Sequence, residues 1–183
     1  MIIICPGFHP PQATAEFITA MGWQTSNTDF LIIPPKILPY DFRAIAQWLW
    51  QQVSLQTPLF FLGFSAGVVG ALGAAIAWQQ RGGIVKGLIA IDGWGVPTPL
   101  GGFPIYRVSH DAFTHYTSQL LGKGKENFYC SPPVSHLALW QRPDLAWGWW
   151  EIKLGCQVRC SAATMIKEIL NCHRITKENK KET

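Results

Sequence analysis

Short apolar runs alternate with longer segments of helical periodicity along most of the sequence. Six of these runs are predicted strands, at residues 2–5, 30–33, 59–62, 88–91, 105–108 and 128–130. Between them, residues 13–21 and 42–53 have the apolar spacing of amphipathic helices, and residues 66–80 are almost wholly apolar and small, typical of a buried helix. This alternation predicts an α/β fold, an open and mainly parallel six-stranded sheet with helices on both faces in three layers.

The chain length favours one domain. A chain of 183 residues lies within the usual one-domain range, and no internal repeat divides it. Ser161 is placed to cap a last helix whose apolar stripe packs on the sheet. We therefore predict a single domain over residues 1–173, followed by a polar, flexible tail at residues 174–183.

Composition excludes several classes of protein. Hydrophobic residues make up 48% and charged residues 14% of the chain, and no apolar run approaches the ~20 residues that span a bilayer. The start, MIIICPGFHP, lacks the basic segment of a signal peptide. Five scattered cysteines then indicate reduced thiols and a cytoplasmic location. The net charge is +4, but the basic residues form no stripe with interleaved aromatic residues, so no nucleic-acid partner is expected.

A serine stands between two glycines at a predicted strand-to-helix turn. The segment GFSAG, Gly63 to Gly67, follows an apolar strand and precedes the small-residue helix, which is the context that the G-x-S-x-G pattern of a nucleophile requires. The helix N-terminus would point its N–H groups at Ser65, and that of Ala66 is a predicted oxyanion donor. The alternative is a purely steric turn, in which the glycines only relieve crowding.

On these residues the chain resembles the α/β-hydrolase superfamily over residues 1 to about 150. The resemblance is most specific at the segment GFSAG, which matches the family's strand-to-helix turn around the nucleophile. The opening IIICPGF is similar to the family's strand and glycine turn, with Pro6 where histidine is usual. The resemblance implies that the N–H of Phe8 is the second oxyanion donor. It also implies a small, nearly lidless member that lacks the two edge strands usually preceding this strand.

The family's chain order of serine, acid and histidine assigns the remaining catalytic residues. His136 follows the sixth predicted strand by a short loop, where the resemblance places the base; the alternative is a histidine bonded to its own loop. Asp111 is the favoured acid because most members use the later strand, and Asp92 is the alternative. Asp111 has a structural reading as a helix cap, and Asp92 has one as a turn residue.

The expected function is that of a serine hydrolase cleaving a carboxylic ester or thioester through an acyl-enzyme on Ser65. Phe64, Trp94 and His9 are candidate residues of the substrate pocket, and tryptophans near His136 favour an apolar small-molecule acyl substrate. Two alternatives remain, a non-catalytic binding module with this fold and an acyltransferase using the same triad. No metal or organic cofactor is expected, since the histidines and cysteines match no strong ligand spacing.

Overall fold

A computed structural model describes residues 1–24, 28–93, 95–97 and 102–173. Within them one sheet of eight strands has the order β2-β1-β3-β4-β5-β6-β7-β8. The predicted tail at residues 174–183 and the candidate pocket residue Trp94 lie outside the described part. The elements in chain order are β1 Ile2–Cys5, α1 Pro11–Ala20, β2 Phe30–Ile32, α2 Phe42–Gln52, β3 Leu59–Phe64, α3 Gly67–Gln80, β4 Val85–Ile91, β5 Ile105–Ser109, α4 Ala112–Gln119, β6 Asn127–Cys130, α5 His136–Gln141, β7 Trp147–Lys153, β8 Cys156–Ser161 and α6 Ala162–Cys172.

The predicted mainly parallel α/β architecture is confirmed, but the predicted strand number is wrong. All six expected strands form and pair in parallel, β2 through β6 along the sheet order. Two further strands, β7 and β8, add an antiparallel hairpin beyond β6. The sheet is therefore mixed, with eight strands instead of six.

The hairpin escaped the sequence analysis because its signals are weak. Its turn consists of the two residues between β7 and β8, and Gly155 there has a φ of 74°, a backbone that glycine adopts without strain. A side chain at Gly148 would overlap the carbonyl oxygen of Tyr129 on β6, so this glycine lets the two strands pair closely. The tryptophans on either side of Gly148 lie in β7. Their spacing is also compatible with a helix, but the structure shows a strand.

The two faces of the sheet bury alternate residues of the same strands. Ile2 and Ile4 of β1 face the layer formed by α1, α5 and α6, whereas Ile3 faces the layer formed by α2 and α3. The pattern repeats in β3 and β4, as expected for parallel strands that are covered on both sides. The three-layer arrangement follows directly from these apolar runs.

Side-chain caps fix where several helices begin. Asp41 accepts a hydrogen bond from the Ala44 N–H, and Ser161 accepts one from the Thr164 N–H, as the sequence predicted for α2 and α6. None of the helices in the described part of the chain has the length and apolar content needed to cross a membrane.

Candidate active site

Ser65 directly follows β3 and has a strained backbone. Its φ is 53°, and among the described non-glycine residues only Asp92, directly after β4, shares a positive φ. Each of these residues donates its N–H to the neighbouring strand, Ser65 to Ile91 O at 2.9 Å and Asp92 to Val108 O at 2.8 Å. Left-handed backbone at such residues is costly and is concentrated at functional sites. The sheet thus holds both residues at the same edge, where its parallel strands end.

Glycines on three sides make room for the serine turn. A side chain on Gly63 would lie 2.8 Å from Val68 Cα, and one on Gly67 would overlap the Cys5 carbonyl oxygen. A side chain on Gly7, in the loop after β1, would come within 2.9 Å of Ser65 Cβ. The serine turn, helix α3 and the loop after β1 are therefore in direct backbone contact. Gly7, Gly63 and Gly67 are required at these positions for steric reasons.

Replacing Gly67 with alanine should lower the free energy of unfolding by about 3 kcal/mol, because backbone atoms of the loop after β1 cannot yield to the added methyl group. Urea unfolding monitored by tryptophan fluorescence measures the effect. Val69→Ala in the same helix is the control, since the Val69 side chain is 42% exposed and its truncation creates no clash. A Gly67→Ala protein as stable as the wild type would contradict this account.

His136 contacts Asp92. The His136 Nδ1 lies 2.8 Å from Asp92 Oδ2, and the aspartate side chain is only 1% exposed, whereas that of His136 is 46% exposed. The His110 backbone N–H donates to Asp92 Oδ1 at 2.9 Å, so both carboxylate oxygens have partners. A buried carboxylate on Nδ1 leaves Nε2 of His136 as the ring nitrogen available to a nucleophile.

The structure brings Asp92, the alternative acid, to His136 in place of the favoured Asp111. Asp111 instead caps α4, accepting a hydrogen bond from the Thr114 N–H at 2.7 Å. Partial burial favours its neutral form, but the hydrogen bonds from Thr114 and the nearby His110 outweigh burial and hold the pKa of the Asp111 carboxyl below its usual value. Both aspartates occupy chain positions where the catalytic acid was predicted. In the structure Asp111 caps a helix, and Asp92 contacts the histidine.

The sequence analysis gave no role to His110, which lies between the two acids. Its Nδ1 is 2.7 Å from Asp92 Oδ2, outside the direction of a hydrogen bond, and its Nε2 is 3.3 Å from Asp111 Oδ2. Its place directly after β5, at the edge of the sheet that carries Asp92, is the sequence signal that could have located it. His110 thus links the predicted acid to the acid that contacts His136.

Aromatic packing fixes the His136 ring. The ring stacks on Phe64, with centroids 4.6 Å apart, and Phe64 stacks on Trp140 at 4.9 Å. Trp140 in turn stacks on Phe17 of α1 at 4.0 Å, so α5 is anchored in the core. Phe64, which was predicted as a pocket residue, is 1% exposed, and its buried ring packs against the ring of His136.

Ser65 and His136 open onto one cavity of about 390 Å³, here called the catalytic cavity. Its walls come from the ends of β3, β4 and β5 and from the helices that follow, which is where α/β sheets bind ligands. Besides the serine and the histidine, the lining includes Ala66, Val69, Asp92, His110, Phe113 and Thr114.

Two backbone N–H groups are available near the serine. In the described ranges no backbone carbonyl accepts from the N–H of Phe8 or from that of Ala66. A tight turn, in which the His9 N–H donates to Gly7 O at 3.1 Å, surrounds Phe8, and Ala66 immediately precedes α3. These are the two predicted oxyanion donors, and the loop that holds Phe8 touches Ser65 through Gly7.

Metal-ligating atoms of Asp92, His110 and His136 lie within 4.8 Å of one another. Each histidine is 2.7–2.8 Å from the same carboxylate oxygen, whereas ligands around a tetrahedral zinc ion are about 3.3 Å apart. The spacing is therefore that of directly contacting side chains.

The thiol of Cys130, at the end of β6, is not activated. Burial, together with the charges of Asp92 and Asp111, raises the pKa of the Cys130 thiol to about 12. Burial also raises the pKa of Cys5. Neither thiol forms the thiolate that nucleophilic attack requires, so Ser65 is the nucleophile candidate at this edge.

No protein-family model matches the sequence, and no curated protein sequence matches it. Among solved structures, the chain is similar to YbtT, a type II thioesterase from the yersiniabactin NRPS/PKS biosynthetic pathway. The two share 14% sequence identity with a TM-score of 0.57, and the match covers 93% of this chain and 91% of that one. With the sheet order and the serine turn already described, this likeness shows that the chain has the α/β-hydrolase fold.

Proposed function

We propose that the protein is a serine hydrolase that cleaves a carboxylic ester or thioester through an acyl-enzyme. The observation that carries the proposal is the geometry at the sheet edge. Ser65, in a left-handed turn, lines the same cavity as an imidazole whose Nδ1 is held by a buried carboxylate. The fold likeness to a type II thioesterase supports a thioester as the first substrate to test.

In the proposed reaction Ser65 Oγ attacks the acyl carbonyl carbon while His136 Nε2 takes the hydroxyl proton. The negative charge that develops on the carbonyl oxygen is stabilised by the N–H groups of Phe8 and Ala66. The tetrahedral intermediate expels the thiolate or alkoxide, which receives the proton from His136.

Water then resolves the acyl-enzyme by the same steps in reverse. His136 takes a proton from water as the hydroxide attacks the acyl carbonyl, and the Ser65 oxygen leaves with that proton. The products are a carboxylic acid and a free thiol or alcohol. Throughout, Asp92 holds the imidazole tautomer and stabilises the imidazolium that forms in each half-reaction.

The direct test is hydrolysis of hexanoyl-N-acetylcysteamine, a small acyl thioester. We expect thiol release, measured with a thiol reagent, in equal amount to hexanoic acid. Thiol release that depends on an added alcohol or amine would identify an acyltransferase. A folded protein that releases no thiol from this thioester, and no alcohol from the matching ester, would favour the binding-module alternative.

A further inference from the structure

A second cavity, of about 440 Å³, lies beside the loop that carries Phe8 and is here called the apolar cavity. Its walls come from the end of β1, the following loop, α1, α2 and the segment after β2. The lining contains no Asp, Glu, Lys or Arg, and only His9 and Thr14 bring side-chain nitrogen or oxygen atoms. Aliphatic and proline side chains form most of the rest, together with Cys5, Gly7 and Phe8, so the cavity suits an uncharged apolar group.

The apolar cavity borders the reacting atoms. Gly7 lines it, and a side chain there would lie 2.9 Å both from Ser65 Cβ and from the Phe64 carbonyl oxygen, so the residue that borders the cavity also packs against the serine turn. Phe8, the proposed oxyanion donor, lines the same cavity with a side chain that is 65% exposed. The loop that carries the proposed oxyanion donor therefore lines the apolar cavity, and the serine turn that it touches lines the catalytic cavity.

Prolines and close packing on α3 restrict the backbone of the far wall. Three prolines, Pro34, Pro35 and Pro39, fix the backbone of the segment after β2. A side chain on Gly70 of α3 would overlap the Pro39 carbonyl oxygen, so this segment lies directly on the helix. A cavity formed in advance loses little conformational entropy when it takes up a flexible chain.

We propose that the apolar cavity binds the acyl chain of the substrate, an aliphatic chain without charge, while the leaving group occupies the catalytic cavity. This inference rests on the proposed function. The two parts of the substrate are assigned to the two cavities by the polarity of the side chains that line each cavity. The catalytic cavity presents His110, Thr114 and His136 beside the serine, where a polar thiol or alcohol must depart with a proton.

The inference predicts a steep dependence on chain length. Each methylene that leaves water on binding should raise kcat/KM about fourfold. We expect this rise from acetyl through butyryl and hexanoyl to octanoyl-N-acetylcysteamine.

A charge in the wall should abolish that gain. Leu38 lines the apolar cavity and is 50% exposed, so Leu38→Asp leaves the core intact. We expect this variant to lower kcat/KM for the octanoyl substrate about tenfold or more, because the buried chain would face a carboxylate, and to lower the acetyl value by a smaller factor, because a two-carbon acyl group buries less apolar surface. Leu145→Asp is the matched control, since Leu145 is 60% exposed and does not line the apolar cavity.

The outcomes separate this inference from the proposed function. A flat chain-length profile in a wild type that hydrolyses the acetyl thioester would overturn the acyl-chain site and leave the hydrolase intact. Equal loss of octanoyl activity in Leu38→Asp and Leu145→Asp would also overturn it. If the wild type neither hydrolyses any of the thioesters nor reacts with a serine-directed probe, the proposed function fails and the inference fails with it. Thermal unfolding of both variants checks that they are folded.

Discussion

Ser65→Ala abolishes covalent labelling by a fluorophosphonate probe and lowers the rate of thioester hydrolysis by about 10⁴-fold or more. The expected loss is this large because the variant keeps the fold and removes the only atom that attacks the carbonyl. In the wild type Ser65 Oγ displaces fluoride from the probe, and the turn around φ 53° presents that oxygen to the catalytic cavity. Intact-protein mass spectrometry measures the adduct.

Ser54→Ala is the control for Ser65→Ala, because Ser54 is an exposed serine outside the catalytic cavity. It should label as completely as the wild type, and heat-unfolded wild type should not label at all. Labelling that persists in Ser65→Ala, or its absence from the folded wild type, would contradict the nucleophile assignment.

Asp92→Asn lowers kcat/KM for thioester hydrolysis by about 10³- to 10⁴-fold, whereas Asp111→Asn changes it less than about threefold. The first substitution places a neutral amide opposite His136 Nδ1, so the imidazole loses the charge that stabilises its protonated form. The second leaves an asparagine oxygen able to accept from the Thr114 N–H, since asparagine caps helices as well as aspartate does. Initial rates with hexanoyl-N-acetylcysteamine measure both.

Comparison of Asp92→Asn and Asp111→Asn decides which acid serves His136. A larger loss in Asp111→Asn would restore the acid that chain order favoured and would contradict the contact with Asp92. Circular dichroism of both variants establishes that each is folded, so that a loss of rate is not a loss of structure.

Local sequence was sufficient where the chemistry is local. The strand of Ile2–Cys5 and the caps at Asp41 and Ser161 were predicted because apolar runs and capping side chains act within a few residues. The β7–β8 hairpin was missed because its strands pair with β6 and with each other through backbone groups, and its turn carries a single glycine as signal. Pairing between strands through backbone groups does not require a particular apolar pattern in the local sequence.

The sequence by itself determined the serine turn, the parallel order of strands and helices, and a histidine after the sixth strand, which the structure places at the first residue of α5 and not in a loop. These follow from glycine sterics, from apolar periodicity and from chain order. Only the tertiary structure decided which acid reaches His136, because Asp92 and Asp111 both follow strands that end at the same sheet edge, and the local helix cap at Asp111 does not fix the distance from either acid to the histidine. The cap at Asp111 joins residues 3 apart in the chain, whereas the contact between Asp92 and His136 joins residues 44 apart, so only the folded sheet can form it.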